Sequence, residues 1–391
     1  MFLPSLFRAT CPFRCSNVSA PLVRNISNFI VLGIETSFDD TGCAIVSSDG
    51  QVLGEALKSQ QEFHLHLGGV IPPVARQLHE ASIKSVIDEC FSSAKLSLQD
   101  IDAVATTVKP GLPDSLHVGL QHGRSLAIEG KKPFIPIHHM EAHALTARMI
   151  DKDVEFPFLV ALISGSHALL AIAHSVSEFS LLGSAIDSAP GELIDKVARR
   201  AKLRNLPEFK NLGGGKAIEM CAKNGNPLAF EFCLPVTSYN DYLPPDAVIP
   251  EIADLCASFQ LALSKHLCQR LQRAMLFAEK KNIFPSGKER TLVLSGGVAC
   301  NKFIQKLVDN LCSEMGYRLC VPPGRLCTDN GVMIAWNGVE RFRTNCGVLD
   351  HNEIDSIAVE SKAPLGEDWR KQVKEAGIQV NAKNRIRVEN M

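Results

Sequence analysis

The chain has 391 residues, of which 46% are hydrophobic and 21% charged, and its formal net charge is −1. These values are typical of a globular protein with room for two domains, and they exclude an overall basic field, so a polynucleotide partner would have to bind a local patch. The 13 cysteines form no CxxC pair, which argues against a zinc ribbon or a thioredoxin-type site and favours reduced thiols inside the cell. No apolar run approaches the roughly 20 residues that cross a bilayer, so we expect no membrane span.

The first 28 residues have the composition of a mitochondrial transit peptide. They contain Arg8, Arg14 and Arg24, several hydroxyl residues and no acid, and the first carboxylate in the chain is Glu35. The apolar start is too short for a secretory signal. We therefore predict a transit peptide over residues 1–28 and a location in the mitochondrial matrix, with a basic tail as the alternative.

The folded part begins with a strand, a tight turn and a second strand, and this arrangement occurs twice. Apolar runs at 30–34 and 42–46 predict the first hairpin, and runs at 158–163 and 167–173 predict the second. Such a repeat suggests two related halves.

Further strands and helices follow each hairpin. Residues 291–294 predict a strand that leads, through a small-residue loop, into a helix beginning near Asn301. Helical spacing of apolar residues predicts scaffold helices over 80–92 and 252–280. The proline-rich stretch at 233–250 indicates an irregular segment. Strands that alternate with helices predict α/β layers.

Two histidines four residues apart, His139 and His143, are candidates to share one metal ion. On a helix, positions i and i+4 lie on one face, so the imidazoles can converge while Glu141 points elsewhere. A downstream carboxylate, Asp329, would add an oxygen, and two nitrogens with one oxygen suit zinc or ferrous iron. Three protein ligands leave positions open for a substrate. Taken alone, such a pair is more often a coincidence.

Loops rich in glycine and hydroxyl residues follow the predicted strands. The turn at 35–42 sets acids and hydroxyls beside main-chain NH groups, and glycines recur at 165, 213–215 and 296–297. Each loop alone fits an ordinary turn, whereas together they indicate a nucleotide held between two lobes. Acids that could bind ribose, or merely favour a helix start, are Asp187, Glu192 and Asp195. Neither a Walker A motif nor GxGxxG is present.

Together these motifs closely resemble the universal tRNA threonylcarbamoyladenosine transferase family, formerly called O-sialoglycoprotein endopeptidases, and in particular its mitochondrial members. Between about residues 31 and 366 they occur in the family's order: LGIETSFDDTG, GGVIPPVARQLHE, IPIHHMEAHAL, LISGSHALL, DSAPGELIDK, GGGKAIE, LSGGVACNK and LCTDNGVMIAWNG. The resemblance implies the duplicated actin-like ATPase fold of sugar kinases, Hsp70 and actin, an α/β fold with two lobes around a nucleotide cleft. The implied lobes cover 29–157 and 158–345, followed by a C-terminal segment and tail at 346–391.

The resemblance also implies a reaction and its site. The family transfers threonylcarbamoyl from threonylcarbamoyl-AMP to N6 of adenosine 37, here in mitochondrial tRNAs that read ANN codons, which forms t6A by metal-assisted acyl transfer without a protein nucleophile. The family's metal ligands fall on His139, His143 and Asp329, for one divalent zinc or iron ion. The positions that hold the adenylate fall on Leu162, Ile163, Ser164, Gly165, Ser166, Asp195, Gly215, Glu219 and Asn301.

The implied partners are the anticodon arm of tRNA and a separate enzyme that makes the adenylate, and the family pattern also allows a homodimer. Basic side chains occur in two clusters that could contact tRNA phosphates, with an ordinary solvated face as the alternative. They are Lys131, Lys132, Lys196, Arg199, Arg200, Lys202 and Arg204.

The chain departs from the family pattern in three places. Phe38 and Asp40 stand where the family has Cys and Glu, and Ser166 replaces the second glycine of Ser-Gly-Gly-His. If that glycine requires a positive φ, Ser166 would be strained by roughly 1–2 kcal/mol. A family segment resembling Phe-Ser-Phe-Ser-Gly-Leu-Lys is absent between Phe232 and Glu251, which makes an inactive binding module one alternative.

Two other functions compete with acyl transfer. A metallopeptidase of the zincin type requires HExxH, but Met140 occupies the glutamate position and Glu141 comes one residue late. A phosphotransferase or ATPase of the same fold would transfer or cleave the γ-phosphate, and we expect it to be independent of a metal bound by imidazole.

Overall fold

The computed structural model describes residues 28–67, 69–232, 247–350 and 353–380. The predicted transit peptide, apart from Asn28, lies outside the described residues, as does most of the irregular stretch at 233–250.

The first half of the chain forms a five-stranded sheet. Its strands are β1 (Ile30–Glu35), β2 (Asp40–Ser47), β3 (Val52–Ser59), β4 (Ala103–Lys109) and β5 (Phe134–His138). Their order is β3-β2-β1-β4-β5, in which β1 to β3 are antiparallel neighbours and β4 and β5 run parallel to β1. The helices of this half are α1 (Gln61–Leu67), α2 (Pro72–Ala94), α3 (Pro113–Gly130) and α4 (His139–Ile150).

The second half forms a sheet of six strands. They are β6 (Phe158–Ile163), β7 (Ala168–Ala173), β8 (Phe179–Ser184), β9 (Arg290–Ser295), β10 (Tyr317–Cys320) and β11 (Glu367–Asp368), in the order β10-β9-β6-β7-β8-β11. The helices that follow β8 are α5 (Pro190–Arg200), α6 (Gly214–Ala222), α7 (Ile252–Lys280), α8 (Lys302–Met315), α9 (Gly324–Cys327), α10 (Gly331–Thr344) and α11 (Arg370–Glu375). Short 3-10 turns connect some of them, at Leu98–Asp100, Leu203–Asn205, Pro207–Phe209, Gly297–Cys300 and Ile354–Ser356.

The two sheets repeat one topology. From β8 to β10 the second sheet has the order third, second, first, fourth, fifth strand, which is the order of the first sheet, and β11 adds an edge. The fold is therefore the predicted duplicated actin-like α/β fold. Both hairpins form as predicted, with Ile34 paired to Cys43 and Ile163 to Ala168.

The helices agree with the predictions in place but not always in length. The helix at 252–280 has the predicted bounds. The helix predicted over 80–92 begins earlier, at Pro72, because a proline in the first turn lacks only an NH that would have no helical partner there.

One helix of the second half, α10, packs on the first sheet. The contact is made by glycines: a Cβ on Gly33 of β1 would lie 2.2 Å from the backbone nitrogen of Ala335, and one on Gly331 would lie 2.4 Å from the carbonyl carbon of Cys43. Only residues without a side chain allow this approach. Because Asp329 precedes α10 by two residues, the packing brings this carboxylate to the first half.

Three buried hydrophobic clusters lie around the sheets, and the strand pairs in parallel register are almost continuously apolar, as strands covered on both faces are. Within the described ranges, no helix is both long and apolar enough to cross a bilayer. The cysteines in these ranges are all free thiols, as predicted for reduced cysteines.

Candidate metal and nucleotide site

Three side chains from distant parts of the sequence converge at the start of α4. Nε2 of His143 lies 3.0 Å from Oδ1 of Asp329 and 3.2 Å from Nε2 of His139, and Nε2 of His139 lies 3.4 Å from the same oxygen. Both histidines are buried, and Asp329 is largely so. The helix begins at His139, so the i, i+4 spacing directs both rings to one point as predicted.

The separations of these donor atoms suit a metal ion. Zinc takes nitrogen and oxygen ligands at about 2.0–2.2 Å, which places neighbouring donors about 3.0–3.5 Å apart in octahedral or tetrahedral arrangements. The three observed separations fall in that range. The residues present therefore fit a divalent ion with two nitrogen donors and one oxygen donor.

A buried carboxylate contacts His139 on the side of the ring opposite the proposed metal position. Nδ1 of His139 lies 3.2 Å from Oε2 of Glu35 and 3.0 Å from Oγ of Ser37. Glu35 has no exposed surface and also accepts hydrogen bonds from the Thr107 hydroxyl, at 2.6 Å, and from the Ser37 backbone NH. A proton on Nδ1 donated to Glu35 leaves Nε2 as the ligand atom, the arrangement by which carboxylates orient metal-binding histidines.

Charge at the site is arranged to receive a cation. Burial alone would lower the pKa of His139, but the Asp329 and Glu35 carboxylates raise it to about 10. Burial opposes ionisation of Asp329, yet His139 and His143 hold the pKa of this carboxyl well below its usual range. In the absence of an ion, a proton on His139 thus compensates the acids, and a divalent cation bound there would displace it.

Aromatic rings and a second ion pair surround the histidines. Phe38 packs edge-on against His139 at 5.3 Å and against His167 at 5.5 Å. Glu141 turns away, as predicted, and forms a buried ion pair with Arg341 of α10. No glutamate next to the first histidine is therefore available as the general base of a zincin.

The predicted adenylate loops meet at the carboxyl ends of β6 and β9, which are parallel neighbours with Leu162 opposite Ser295. A Cβ on Gly296, whose φ is +98°, would lie 2.5 Å from the carbonyl oxygen of Ile163. Gly191, at the start of α5, donates its NH to the Ser164 carbonyl at 3.2 Å, and a Cβ there would lie 2.5 Å from that oxygen. These glycines bring three loops of the second half into contact.

Ser166 does not carry the strain considered for it. The φ angle of Ser166 is not positive, unlike that of five other described residues that are not glycine. The serine in place of the family's glycine therefore does not require a strained left-handed backbone. Its hydroxyl lies 2.9 Å from Nδ1 of the adjacent His167. Gly165 and Ser166 are exposed.

The other predicted adenylate residues form two groups. Glu219 accepts a hydrogen bond from the Lys302 NH at 2.9 Å, next to Asn301, whose side chain caps α8 through the Ile304 NH at 3.1 Å. Asp195 lies against Gly214, where a Cβ would be 2.3 Å from its Oδ1, and Gly215 follows on the same helix. Which ligand these residues bind stays a prediction.

A cleft of about 470 Å³ separates the halves beside Asp195. One wall is formed by Asp39 and by His64 of α1, and the other by α5 with Arg199 and by the start of α6. Lys202 and Arg204, two of the basic residues considered for tRNA phosphates, also line it. Lys196 pairs instead with Glu192 at 2.7 Å, and Lys132 donates to the Gln99 carbonyl at 2.9 Å.

Two residues of the site were not predicted. Glu35 was considered only as part of an acidic turn, and nothing in the local sequence connects it to His139, which is 104 positions away. His64 was not considered, because none of the quoted motifs includes it.

Comparisons with known proteins agree with the resemblance. Residues 51–336 match the family model for tRNA N6-adenosine threonylcarbamoyltransferase. The Mus musculus protein named tRNA N6-adenosine threonylcarbamoyltransferase, mitochondrial, is 46% identical over 374 residues, which cover 90% of this chain and 89% of that protein. The Homo sapiens protein of that name has the same identity and coverage. A tRNA N6-adenosine threonylcarbamoyltransferase of Rhizobium johnstonii is 39% identical over 335 residues, or 80% of this chain and 89% of that protein.

Proposed function

This chain belongs to the tRNA N6-adenosine threonylcarbamoyltransferase family, and from that premise we propose that it transfers threonylcarbamoyl from threonylcarbamoyl-AMP to N6 of adenosine 37 in mitochondrial tRNAs that read ANN codons. The convergence of His139, His143 and Asp329 beside the loops of the second half carries the proposal. It supports a metal-assisted acyl transfer, because an ion held by three protein ligands would keep open positions for a substrate carbonyl.

His139, His143 and Asp329 are the residues that would hold a zinc or iron ion. The chemistry that such an ion supplies when bound is Lewis acidity toward the carbonyl oxygen of the carbamoyl group. Glu35 fixes the tautomer and ring plane of His139. Phe38, packed on His139 and His167, covers one side of the imidazoles.

The adenylate would lie along the loops after β6 and β9. The close contacts at Gly191 and Gly296 hold these loops together, and the exposed Gly165 and Gly297 carry no side chain that would keep a phosphate away from the backbone. Asp195, Glu219 and Asn301 would face the nucleoside. In this arrangement the phosphate lies between the nucleoside and the metal point, which directs the acyl carbon toward the histidines.

The reaction then requires no protein nucleophile. The N6 amine attacks the carbamoyl carbon, a C–N bond forms, the C–O bond to phosphate breaks, and AMP leaves with the electron pair. Catalysis arises from holding two substrates in reacting geometry and from stabilising negative charge on the carbonyl oxygen, effects that contribute several kcal/mol each in other enzymes.

The relatives support a mitochondrial role. The mouse and human proteins carry "mitochondrial" in their names, and we propose that this chain acts in the mitochondrial matrix on the anticodon arm of tRNA. A separate enzyme would supply the adenylate from threonine, bicarbonate and ATP.

A single-turnover assay tests the proposal. Full-length protein is mixed with threonylcarbamoyl-AMP labelled in threonine and with a mitochondrial tRNA transcript, and label in tRNA is measured. We expect transfer to the transcript with adenosine 37, none to a transcript with guanosine 37, and none with His139→Ala. Label that appears in both transcripts, or an active mutant, contradicts the proposed site.

A further inference from the structure

A buried histidine outside the metal site lines the cleft between the halves. His64 of α1 is 3% exposed, and its Nε2 lies 2.9 Å from Oε1 of Gln60. Its Nδ1 is buried and has no hydrogen-bond partner among the described residues. Burying a ring nitrogen without a hydrogen bond destabilises the folded state unless a ligand or a water molecule provides the missing partner. The Nδ1 atom of His64 therefore indicates a place where a ligand could bind.

The protonation of this ring follows from its neighbours. The amide nitrogen of Gln60 donates to the Ala75 carbonyl at 3.2 Å, which can only accept, so the other amide atom facing His64 is the oxygen. The Gln60 oxygen in turn can only accept, and Nε2 of His64 therefore carries the proton. In the neutral ring, Nδ1 is then a lone pair that can accept a hydrogen bond or a proton.

A second buried histidine of the same half provides a contrast. His79 of α2 uses both nitrogens within the chain: Nδ1 lies 2.7 Å from the Thr41 hydroxyl and Nε2 lies 3.0 Å from the Phe38 carbonyl. Its role is to fix the first turn. His64, by comparison, forms a hydrogen bond through Nε2 and none through Nδ1.

The position of His64 connects the cleft with the metal site. Asp39 lines the same cleft. Burial raises the pKa of Asp39, the Asp329 carboxylate raises it further, and His64 lowers it, so Asp39 lies close enough to both to interact with their charges. The opposite wall, with Arg199 and Asp195, belongs to the half that would hold the adenylate. A group in this cleft thus lies between Asp39 of the first half and the predicted adenylate residue Asp195 of the second half.

We propose that this cleft receives the acceptor adenosine and that, once the adenosine displaces the atoms that cover Nδ1 of His64, this nitrogen accepts a hydrogen bond from the N6 amine. The inference rests on the proposed function and adds to it a catalytic residue in contact with substrate. The volume of about 470 Å³ is in the range of sites for compact ligands, and Arg199 offers positive charge for the neighbouring phosphates.

The contact also accounts for the proton of the attacking amine. When the N6 lone pair forms the C–N bond, nitrogen becomes positively charged and must lose one hydrogen. Nδ1 of His64 takes that proton and becomes imidazolium, the C–O bond to phosphate breaks, and AMP leaves. The proton passes to water when products dissociate. General bases of this kind contribute about 10²–10⁴-fold to a rate.

Two substitutions separate hydrogen bonding from packing. In His64→Gln the amide reaches the position of Nε2 and keeps the contact with Gln60, but no acceptor remains at the position of Nδ1. In His64→Asn the shorter amide sets a carbonyl oxygen near Nδ1, which accepts a hydrogen bond but not a proton. His79→Gln is the matched control, because that ring faces the chain on both sides.

The full-length variants are compared with wild type in three measurements: single-turnover transfer at saturating tRNA, the tRNA concentration that gives half the maximal rate, and binding of the adenylate without tRNA. We expect both His64 variants to transfer about 10²-fold more slowly. His64→Gln should also need about tenfold more tRNA, whereas His64→Asn should stay within about twofold of wild type. Adenylate binding without tRNA and the metal content should be unchanged.

Wild-type transfer in both His64 variants would overturn the inference and leave the proposed function intact. Weaker adenylate binding or lost metal in the His64 variants, which we expect for the control His79→Gln through a displaced first turn, would also overturn it by assigning His64 a structural role. A wild-type chain that transfers no label would instead remove the proposed function itself.

Discussion

The turn after the first strand of each half occupies the same place in the duplicated fold, yet the two turns are built in opposite ways. After β1, Glu35, Thr36 and Ser37 are buried and bound to residues far along the chain, including His139 and Thr107. After β6, Ser164 is half-buried and Gly165 and Ser166 are exposed. Apart from the Ser164 carbonyl, which accepts from the Gly191 NH, their hydrogen bonds are local, as in the Ser164 NH donating to the His167 carbonyl at 2.8 Å.

The difference indicates a division of labour between equivalent positions. The first turn is buried and orients a metal-binding imidazole. The side-chain polar atoms of Glu35, Thr36 and Ser37 already form hydrogen bonds within the protein. The second turn presents backbone and small side chains to the outside, where a ligand can use them. A duplicated fold can thus place a rigid binding point opposite an adaptable one. The substitutions that follow test each side separately.

The largest effect is expected from removing a ring of the metal site. His143→Ala deletes one of three donors that lie within 3.4 Å of each other, so we expect metal content to fall from about one ion per chain to nearly none and transfer to fall by at least about 10²–10³-fold. Elemental analysis and the single-turnover assay measure the two losses. His117→Ala, an exposed histidine of α3, is the control and should behave as wild type. Full metal occupancy in His143→Ala would contradict the assigned site.

A smaller effect is expected from weakening the hydrogen bond between Glu35 and the metal-binding His139. Glu35→Gln keeps the size of the side chain but loses the charge that holds Nδ1–H of His139, so metal affinity should fall by about 10–100-fold. Competition with a fluorescent chelator gives the affinity without reference to activity. The matched control, Glu129→Gln, changes an exposed carboxylate of α3. Unchanged affinity in Glu35→Gln would mean that Glu35 serves packing alone.

A change confined to the second turn should leave the metal in place. In Gly191→Ala the new methyl would lie 2.5 Å from the Ser164 oxygen and 2.7 Å from the Gly165 Cα, so the loop must shift. We expect about tenfold weaker binding of the adenylate, since small displacements of positioning groups are costly, and unchanged metal affinity. Gly183→Ala, where the nearest atom is 3.8 Å from the added carbon, is the control. Lost metal in Gly191→Ala would show that the two turns are not independent.

The smallest effect concerns stability. Burial raises the pKa of Asp40, at the end of the first turn, to about 7. In the unfolded chain the Asp40 carboxyl ionises near pH 4. Between about pH 4 and 7 the folded state therefore keeps a proton on Asp40 that the unfolded state has lost, and the stability of the fold decreases as the pH rises. Asp40→Asn removes this penalty and should stabilise the metal-free protein by about 1 kcal/mol more at pH 7 than at pH 6. Urea unfolding with a chelator present measures it; a pH-independent difference would refute the shifted carboxyl.

The sequence was informative where a signal is local. Apolar runs around short polar turns predicted both hairpins, and the four-residue spacing predicted that His139 and His143 share a helix face. The approach of Asp329 followed from family resemblance, and its physical cause, the glycine contacts of α10 with β1 and β2, became visible only in three dimensions.

What could not be predicted are contacts between residues far apart in the chain. Glu35 meets His139 across 104 positions, and α10 leaves the second half to pack on the first sheet. The free nitrogen of His64 depends on which way the Gln60 amide is turned, and that is decided by the carbonyl of Ala75. Neither the spacing of residues along the sequence nor the composition indicates such contacts.

The most direct test of the account is a crystal structure of the protein grown with zinc or iron, with anomalous diffraction collected at the edge of that metal. We predict one anomalous peak at about 2.0–2.2 Å from Nε2 of His139, Nε2 of His143 and a carboxylate oxygen of Asp329, with Glu35 still hydrogen-bonded to Nδ1 of His139. A peak elsewhere, or an ion bound through Nδ1 of His139 with Glu35 displaced, would contradict the central claim that the buried first turn exists to orient this metal site.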